Sequence, residues 1–201
     1  MPKGYIIGHI TVKDPEAYKE YVARDTPILL GHGARPLVRG GQAELVEGTA
    51  HDRHVIFEFP DYDTALAAFR DPDYQEVAKI RARAAESVIL VAEGTDENLP
   101  DADSDAPLGF LVAHVTVHDP DGYKPYVEGN TPIMRGHGAR YIVRGGRSEM
   151  LEGETGERHV VIAYPSYAAA RAAYHDPAYQ EVAAIRRDCS EGTMILVEGT
   201  A

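Results

Sequence analysis

An internal repeat constrains this chain more than any other feature of its sequence. Residues 4–95 align with residues 109–200 at an offset of 105 without a gap, and 46 of the 92 aligned positions are identical. The segment between the copies, residues 96–108, holds five acidic residues and two prolines, which is typical of a surface linker. The sequence therefore predicts a first repeat at 1–95, an acidic linker at 96–108 and a second repeat at 109–201. Two such copies are expected to pack as an intramolecular pseudo-dimer, with further homo-oligomerisation left open.

The charge balance narrows the classes of partner. A formal net charge of −12 over 201 residues argues against nucleic acid and against an anionic membrane surface, because both need clustered Lys and Arg. The single cysteine, Cys189, cannot form an internal disulfide, and the N-terminus lacks the apolar core of a signal peptide. We therefore expect a cytoplasmic protein without a membrane segment, whose partner is a small molecule.

Hydrophobic periodicity gives the order of elements within one repeat as β-α-β-β-α-β, the ferredoxin-like arrangement of an α+β fold. Asp14 followed by Pro15 is a helix start, and Thr26-Pro27 predicts an interruption of that helix. The glycine pair Gly40-Gly41 predicts a turn, after which the same β-structure continues through residues 43–47.

A recurring set of motifs gives the chain a family resemblance. It includes Asp14-Pro15, His32-Gly33, Val38-Arg39-Gly40-Gly41, Phe59-Pro60 and a terminal Leu-Val-Xaa-Glu-Gly in the first copy, and the resemblance covers both copies. The chain resembles the domain of unknown function 1330 family of the dimeric α/β-barrel superfamily, whose members typically hold one copy. The resemblance implies two ferredoxin-like repeats packed as an intramolecular dimeric α/β barrel, with their sheets facing each other.

Strand alternation predicts which side chains such facing sheets would enclose. His9 on the first strand, His54 and Glu58 on the third, and Arg39 on the second fall on the face opposite the helix-covered one. The candidate catalytic residues are His9, His54, His114 and His159, because histidine titrates near neutral pH. The candidate substrate-binding residues are Tyr18, His32, Arg39, Glu58, Tyr123, His137 and Arg144.

Each candidate also has a structural interpretation, as a satisfied core histidine, a helix-end contact or a strand end. A metal site from His9, His54 and Glu58 is not predicted, since Ala163 replaces the acid in the second copy. No haem-ligand or phosphate-loop motif occurs, so no cofactor is expected.

Two classes of function remain open at the sequence level. The first is a cofactor-independent enzyme that performs proton-transfer or oxygen chemistry on a carbonyl or aromatic metabolite, as the superfamily resemblance implies. The second is a non-catalytic metabolite-binding protein or a structural or assembly module. The identity of the ligand, the choice between enzyme and binding protein, and the number of working sites are not fixed by the sequence.

Overall fold

The computed structural model describes residues 1–103 and 106–200. The first repeat contains β1 Gly4–Val12, α1 Pro15–Gly31, β2 Arg35–Arg39, β3 Ala43–Glu47, β4 Arg53–Phe59, α2 Tyr62–Arg70, α3 Pro72–Ala84 and β5 Ala85–Glu93. The second contains β6 Gly109–Val117, α4 Pro120–Gly136, β7 Arg140–Arg144, β8 Ser148–Glu152, β9 Arg158–Tyr164, α5 Tyr167–His175, α6 Pro177–Cys189 and β10 Ser190–Glu198. The predicted fold class is confirmed: the chain is α+β, with two antiparallel sheets and two repeats of the β-α-β-β-α-β order. In each repeat a short additional strand, β3 or β8, lies between the second and third strands of that order, and its second helix is divided into two.

Each repeat contributes one short strand to the sheet of the other repeat: β3 from the first repeat and β8 from the second. One sheet has the strand order β2-β4-β1-β5-β8, and the other has β3-β10-β6-β9-β7. The prediction that β3 continues the β-structure of β2 in the same sheet is therefore wrong. Gly40 and Gly41 adopt positive φ angles of 81° and 108°, and the chain leaves the sheet there instead of folding back on β2.

The exchanged strands define two compact units. Unit 1 comprises Met1–Gly40, His51–Asp96 and Gly146–Glu154. Unit 2 comprises the described residues of Gly41–Ala50, Glu97–Gly145 and Thr155–Ala201. In each unit one face of the sheet packs on three helices of its own repeat, with small residues such as Ala65 and Ala68 fully buried at the contact.

Helix α1 runs without a break through Pro27, so the predicted interruption at Thr26-Pro27 is wrong. Asp14 caps its start by accepting hydrogen bonds from the backbone N–H groups of Glu16 and Ala17. An interior proline costs a helix about 3 kcal/mol. Burial of Leu29 against the core in the following turn offsets this cost, because it holds that turn in helical geometry.

The predicted linker is anchored where it is described; Ser104 and Asp105 lie outside the described residues. Glu97 accepts a hydrogen bond from Arg135 at 2.7 Å and from the Tyr141 backbone N–H at 3.2 Å. Asp103 accepts one from the Ser166 hydroxyl at 3.0 Å. These residues belong to unit 2, and the repeat boundaries at 1–95, 96–108 and 109–201 stay a prediction.

Among the helices of the described chain, none combines the length and the apolar character needed to cross a membrane.

Candidate functional site

The histidines predicted from strand alternation come together in pairs. His9 on β1 lies opposite His54 on β4, and their Nδ1 atoms are 2.8 Å apart. In unit 2, His114 and His159 form the equivalent contact at 2.9 Å. Such a contact requires one Nδ1 to carry the proton and the other to accept it.

Burial controls the protonation of these pairs. All four rings are at most 5% exposed. Desolvation, with a smaller contribution from nearby His51, lowers the pKa of His54 to about 4. Desolvation also lowers the pKa of His159. His54 and His159 are therefore uncharged near neutral pH, and each is hydrogen-bonded to its partner histidine.

Glu58 lies on the same strand face as His54 but has other partners. It accepts hydrogen bonds from the Tyr5 hydroxyl at 3.2 Å and from the Arg35 guanidinium at 2.9 Å. Within the part of the chain that the structure describes, no group of three His, Cys, Asp or Glu side chains is arranged to hold a metal ion.

His32 and His137 close the C-terminal ends of α1 and α4. The Nε2 of His32 is 2.9 Å from an Asp71 carboxylate oxygen, and the Nε2 of His137 is 2.8 Å from Asp176. Asp71 also caps the N-terminus of α3, and Asp176 caps the N-terminus of α6. The histidine contact lowers the pKa of each aspartate. These residues join two helix ends and line neither cavity described below.

Arg39 and Arg144 do not share a face with the histidines, so that prediction is wrong. The register of β2 against β4 shifts between Pro36 and Val38, and Arg39 then pairs with Val55 on the helix-covered face. The same irregularity on β7 turns Arg144 to the helix side of unit 2. A bulge inserts one residue into a strand, so every later side chain points to the opposite face.

The bulge delivers Arg39 to a cavity between the sheet and α1. The cavity measures about 30 Å³, which is roughly the room of two water molecules. Aliphatic side chains and Gly8 form its sheet side, and the polar lining residues are Tyr18, Tyr21, Asp25, Thr26, Arg39, Arg53 and Tyr74. Of the sequence-predicted residues of the first repeat, Tyr18 and Arg39 are in this lining.

Asp25 is the only acidic group in that lining and is 5% exposed. The Thr26 hydroxyl donates to its Oδ1 at 3.1 Å, and the Tyr21 hydroxyl is within hydrogen-bond reach. Burial raises the pKa of Asp25, although these hydrogen bonds and Arg39 oppose the shift.

Two further contacts extend the group around Asp25. The hydroxyls of Tyr21 and Tyr74 are 3.1 Å apart, and Arg39 donates to the Thr26 hydroxyl at 3.0 Å. Burial raises the pKa of both tyrosines, so their hydroxyls keep their protons. A continuous set of polar atoms thus runs from Tyr74 to Arg39 along the cavity.

Unit 2 has the equivalent cavity, also of about 30 Å³, with a neutral residue at the key position. Asn130 replaces Asp25. Its amide donates to the Tyr126 carbonyl at 2.7 Å, and its Oδ1 accepts from the Tyr141 hydroxyl at 2.8 Å. Tyr123 and Arg144 line this cavity, and Arg144 donates to Thr131 at 2.6 Å.

Sequence reasoning missed Asp25, although a signal was present. The buried residues of α1 are Tyr18, Tyr21, Asp25 and Leu29, a spacing of three or four that marks one helix face. An acid inside such a stripe is enclosed, and an enclosed acid needs partners. Arg53 was also missed; in the structure its guanidinium carbon lies 5.7 Å from the centroid of the Tyr18 ring.

Comparison with known proteins identifies a family and a fold. The model of the family described as "Domain of unknown function (DUF1330)" matches residues 3–95 and 108–200. No curated protein sequence matches the chain significantly.

Solved structures share the fold at low sequence identity. A mutant chlorite dismutase from Candidatus Nitrospira defluvii superposes with a TM-score of 0.59 at 8% identity, covering 99% of this chain and 92% of that chain. An anthrone oxidase-like protein superposes with a TM-score of 0.54 at 13% identity, covering 99% and 92%. A protein of unknown function from Rhodopseudomonas palustris is 24% identical over 48% of this chain and 85% of its own, with a TM-score of 0.39.

Proposed function

Since the chain belongs to the domain of unknown function 1330 family, whose name assigns no reaction, we propose a function from the site itself. The protein binds a small carbonyl compound in the cavity of unit 1 and moves a proton to and from it, with Asp25 as the acid–base group. The observation that carries this proposal is the buried Asp25 carboxyl, set between hydroxyl donors and facing a cavity that also contains two arginines.

The chemistry follows from the types of group present. A carboxyl whose pKa is raised by burial is a stronger base when ionised, and an acid–base group works best when its pKa approaches the working pH. Asp25 would take a proton from the carbon beside the substrate carbonyl and return it to the enolate oxygen or to carbon. No electron is gained or lost overall.

Arg39 and Arg53 supply the charge that an enolate needs. A guanidinium offers a planar fork of donors and stays protonated at any physiological pH. Both side chains are half-buried, and they line the same cavity as Asp25. Because preorganised donors stabilise a developing oxyanion more than they stabilise the neutral carbonyl, these arginines lower the barrier to proton removal.

The substrate class follows from the cavity size. About 30 Å³, roughly the room of two water molecules, admits only the carbonyl end of a molecule. Oxygen chemistry, the other reaction class expected from the superfamily resemblance, would begin with the same proton removal.

The test is proton exchange measured by NMR in D2O. A panel of small ketones and 2-oxo acids is incubated with the protein, and loss of the signal of the hydrogen beside the carbonyl is followed. We expect Asp25→Asn to slow the exchange by about 10²- to 10⁴-fold, the usual contribution of an acid–base group. Asparagine occupies the equivalent position in unit 2, so the fold accommodates this change.

The histidine pair is the second candidate, because His9 and His54 share a proton across 2.8 Å. In the same assay His9→Gln should leave the exchange rate within about threefold of wild type. Unchanged exchange in Asp25→Asn, together with its loss in His9→Gln, would reject Asp25 and favour the histidine pair.

A further inference from the structure

The cavity of unit 2 differs from that of unit 1 in charge. Arg144 and Arg158 line it, and its described lining contains no Asp or Glu. In unit 1 the two equivalent arginines face Asp25. Because Asn130 stands where unit 1 has Asp25, unit 2 has two cations around a partly enclosed, mostly apolar space. In such surroundings a positive charge attracts an anion more strongly than it does in water.

The side-chain amide of Asn130 is uncharged, and both its nitrogen and its oxygen are hydrogen-bonded within the protein. It donates to the Tyr126 carbonyl and accepts from Tyr141, so it holds the wall of the cavity and offers no charge. The Nε of Arg158 is buried and has no hydrogen-bond partner among the described residues. The same holds for Arg53, Arg81 and Arg186, so this atom does not distinguish unit 2. A carboxylate binds a guanidinium through its terminal nitrogens, and Arg158 lines the cavity.

A glycine at position 145 allows the Arg158 guanidinium to lie close to the backbone. Gly145 has φ +61°, and a Cβ at this position would lie 2.6 Å from the Nη1 atom of Arg158. The other side of the guanidinium faces Tyr123, 6.0 Å from the ring centroid. The arginine is thus held between a glycine and an aromatic ring at the edge of the cavity.

An outer depression of about 360 Å³ adjoins this cavity. The two share the lining residues Tyr123, Val127 and Arg158, so Arg158 borders both. Val117 and Pro120 make most of the remaining wall apolar, while Lys124 and Glu128 are exposed at its rim. The volume suits the body of a molecule whose charged end reaches the inner cavity.

We propose that unit 2 is a binding site for a small monocarboxylate with an apolar body. The carboxylate binds at Arg158 in the inner cavity, and the body lies in the outer depression against Val117 and Val127. This site binds without transferring a proton, because Asn130 cannot titrate. It is independent of the reaction proposed for unit 1.

The experiment is calorimetric and NMR titration of the full chain with benzoate, with benzamide as the uncharged match. We expect one benzoate per chain, shifts confined to the Val127 methyls and other signals of that cavity, and at least tenfold weaker binding of benzamide. Arg158→Gln should weaken benzoate binding at least tenfold, while the matched Arg53→Gln in unit 1 changes it less than twofold.

Two variants, each carrying the residue that the other unit has at this position, test whether the absence of an acid from the unit 2 cavity permits carboxylate binding. Asn130→Asp places an acid in unit 2 and should abolish benzoate binding, while the matched Asp25→Asn in unit 1 should leave one benzoate per chain with unchanged affinity. Each variant uses a residue that the other unit already carries, so the fold is retained.

Two equivalent benzoates in wild type, no binding at all, or binding unaffected by Asn130→Asp would overturn the proposal. Failure of the exchange assay for unit 1 would leave it standing, because that assay reports a reaction and this one reports occupancy of a different cavity.

Discussion

Single positions decide what the two halves of this chain can do. Their cavities share three tyrosines and two arginines, and Asp25 in the first is replaced by Asn130 in the second. Tyr141 lines only the second cavity. A buried carboxylate only accepts hydrogen bonds and therefore needs donors around it. A buried amide can donate to a carbonyl and accept from a hydroxyl. The different functions proposed for the two cavities therefore rest chiefly on this one position.

The histidine pairs make a prediction about pH at the same scale. Unfolded, His54 has the ordinary histidine pKa near 6.5, while in the folded chain it is about 4. Between these values the unfolded chain binds more protons, so stability falls as the pH drops from about 6.5 towards 4, by up to about 3 kcal/mol for this group. Urea unfolding of wild type at pH 7 and pH 5 measures the loss.

The variant His54→Asn removes this titration and should show a smaller loss of unfolding free energy between the two pH values. His118→Asn, at an exposed position, is the control and should keep the wild-type loss. An identical pH dependence in His54→Asn and wild type would contradict the assignment.

At the scale of elements, buried ion pairs fix the exchanged strands. Arg81 on α3 is fully buried and donates both terminal nitrogens to Glu152 on β8, each at 2.7 Å. In unit 2, Arg186 on α6 donates through one terminal nitrogen to Glu47 on β3 at 2.5 Å. Each pair joins a helix of one repeat to a strand of the other, so it contributes to the choice of strand.

Removing one member of such a pair should be costly. We expect Glu152→Ala to reduce the free energy of unfolding by about 3 kcal/mol, because it leaves the Arg81 charge buried without its partner. Glu149→Ala on the same strand breaks an exposed pair with Arg70 and should cost at most about 1 kcal/mol. Denaturant unfolding of the two variants compares them; equal losses would show that the buried pair does not hold β8.

At the scale of the whole molecule, the exchange means that one repeat alone lacks a complete sheet. Residues 1–95 contain β3, whose partner strand β10 is in the second repeat, and they lack β8, which pairs with β5. Glu47 of β3 occupies the position equivalent to Glu152 of β8. The β3 strand of a second copy could therefore pair with β5 and bring its Glu47 to Arg81.

We expect residues 1–95, expressed alone, to form a homodimer that dissociates and unfolds in one step. Sedimentation velocity over a range of concentrations measures the mass, and circular dichroism measures the fold. Glu47→Ala should weaken this dimer, since it removes the equivalent of the buried pair. A stable folded monomer would contradict the strand exchange as a requirement for folding.

The sequence by itself determined the repeat, the order of elements, and which side chains of β1 and β4 lie on the face opposite the helices. These features depend on local periodicity and on identities at a fixed offset, so they are readable without the fold. The pairing of His9 with His54 was predictable for the same reason, as both lie on the same face of adjacent strands.

Only the tertiary structure decided the site. The bulge that turns Arg39 to the helix side depends on how β2 fits against β4, and no local pattern distinguishes it from regular alternation. The path of β3 into the other sheet depends on an edge that becomes available only when β10 is in place. The continuity of α1 through Pro27 depends on packing that outweighs a local preference. Each of these outcomes is a competition between local and long-range free energies, and the sequence shows only the local side of it.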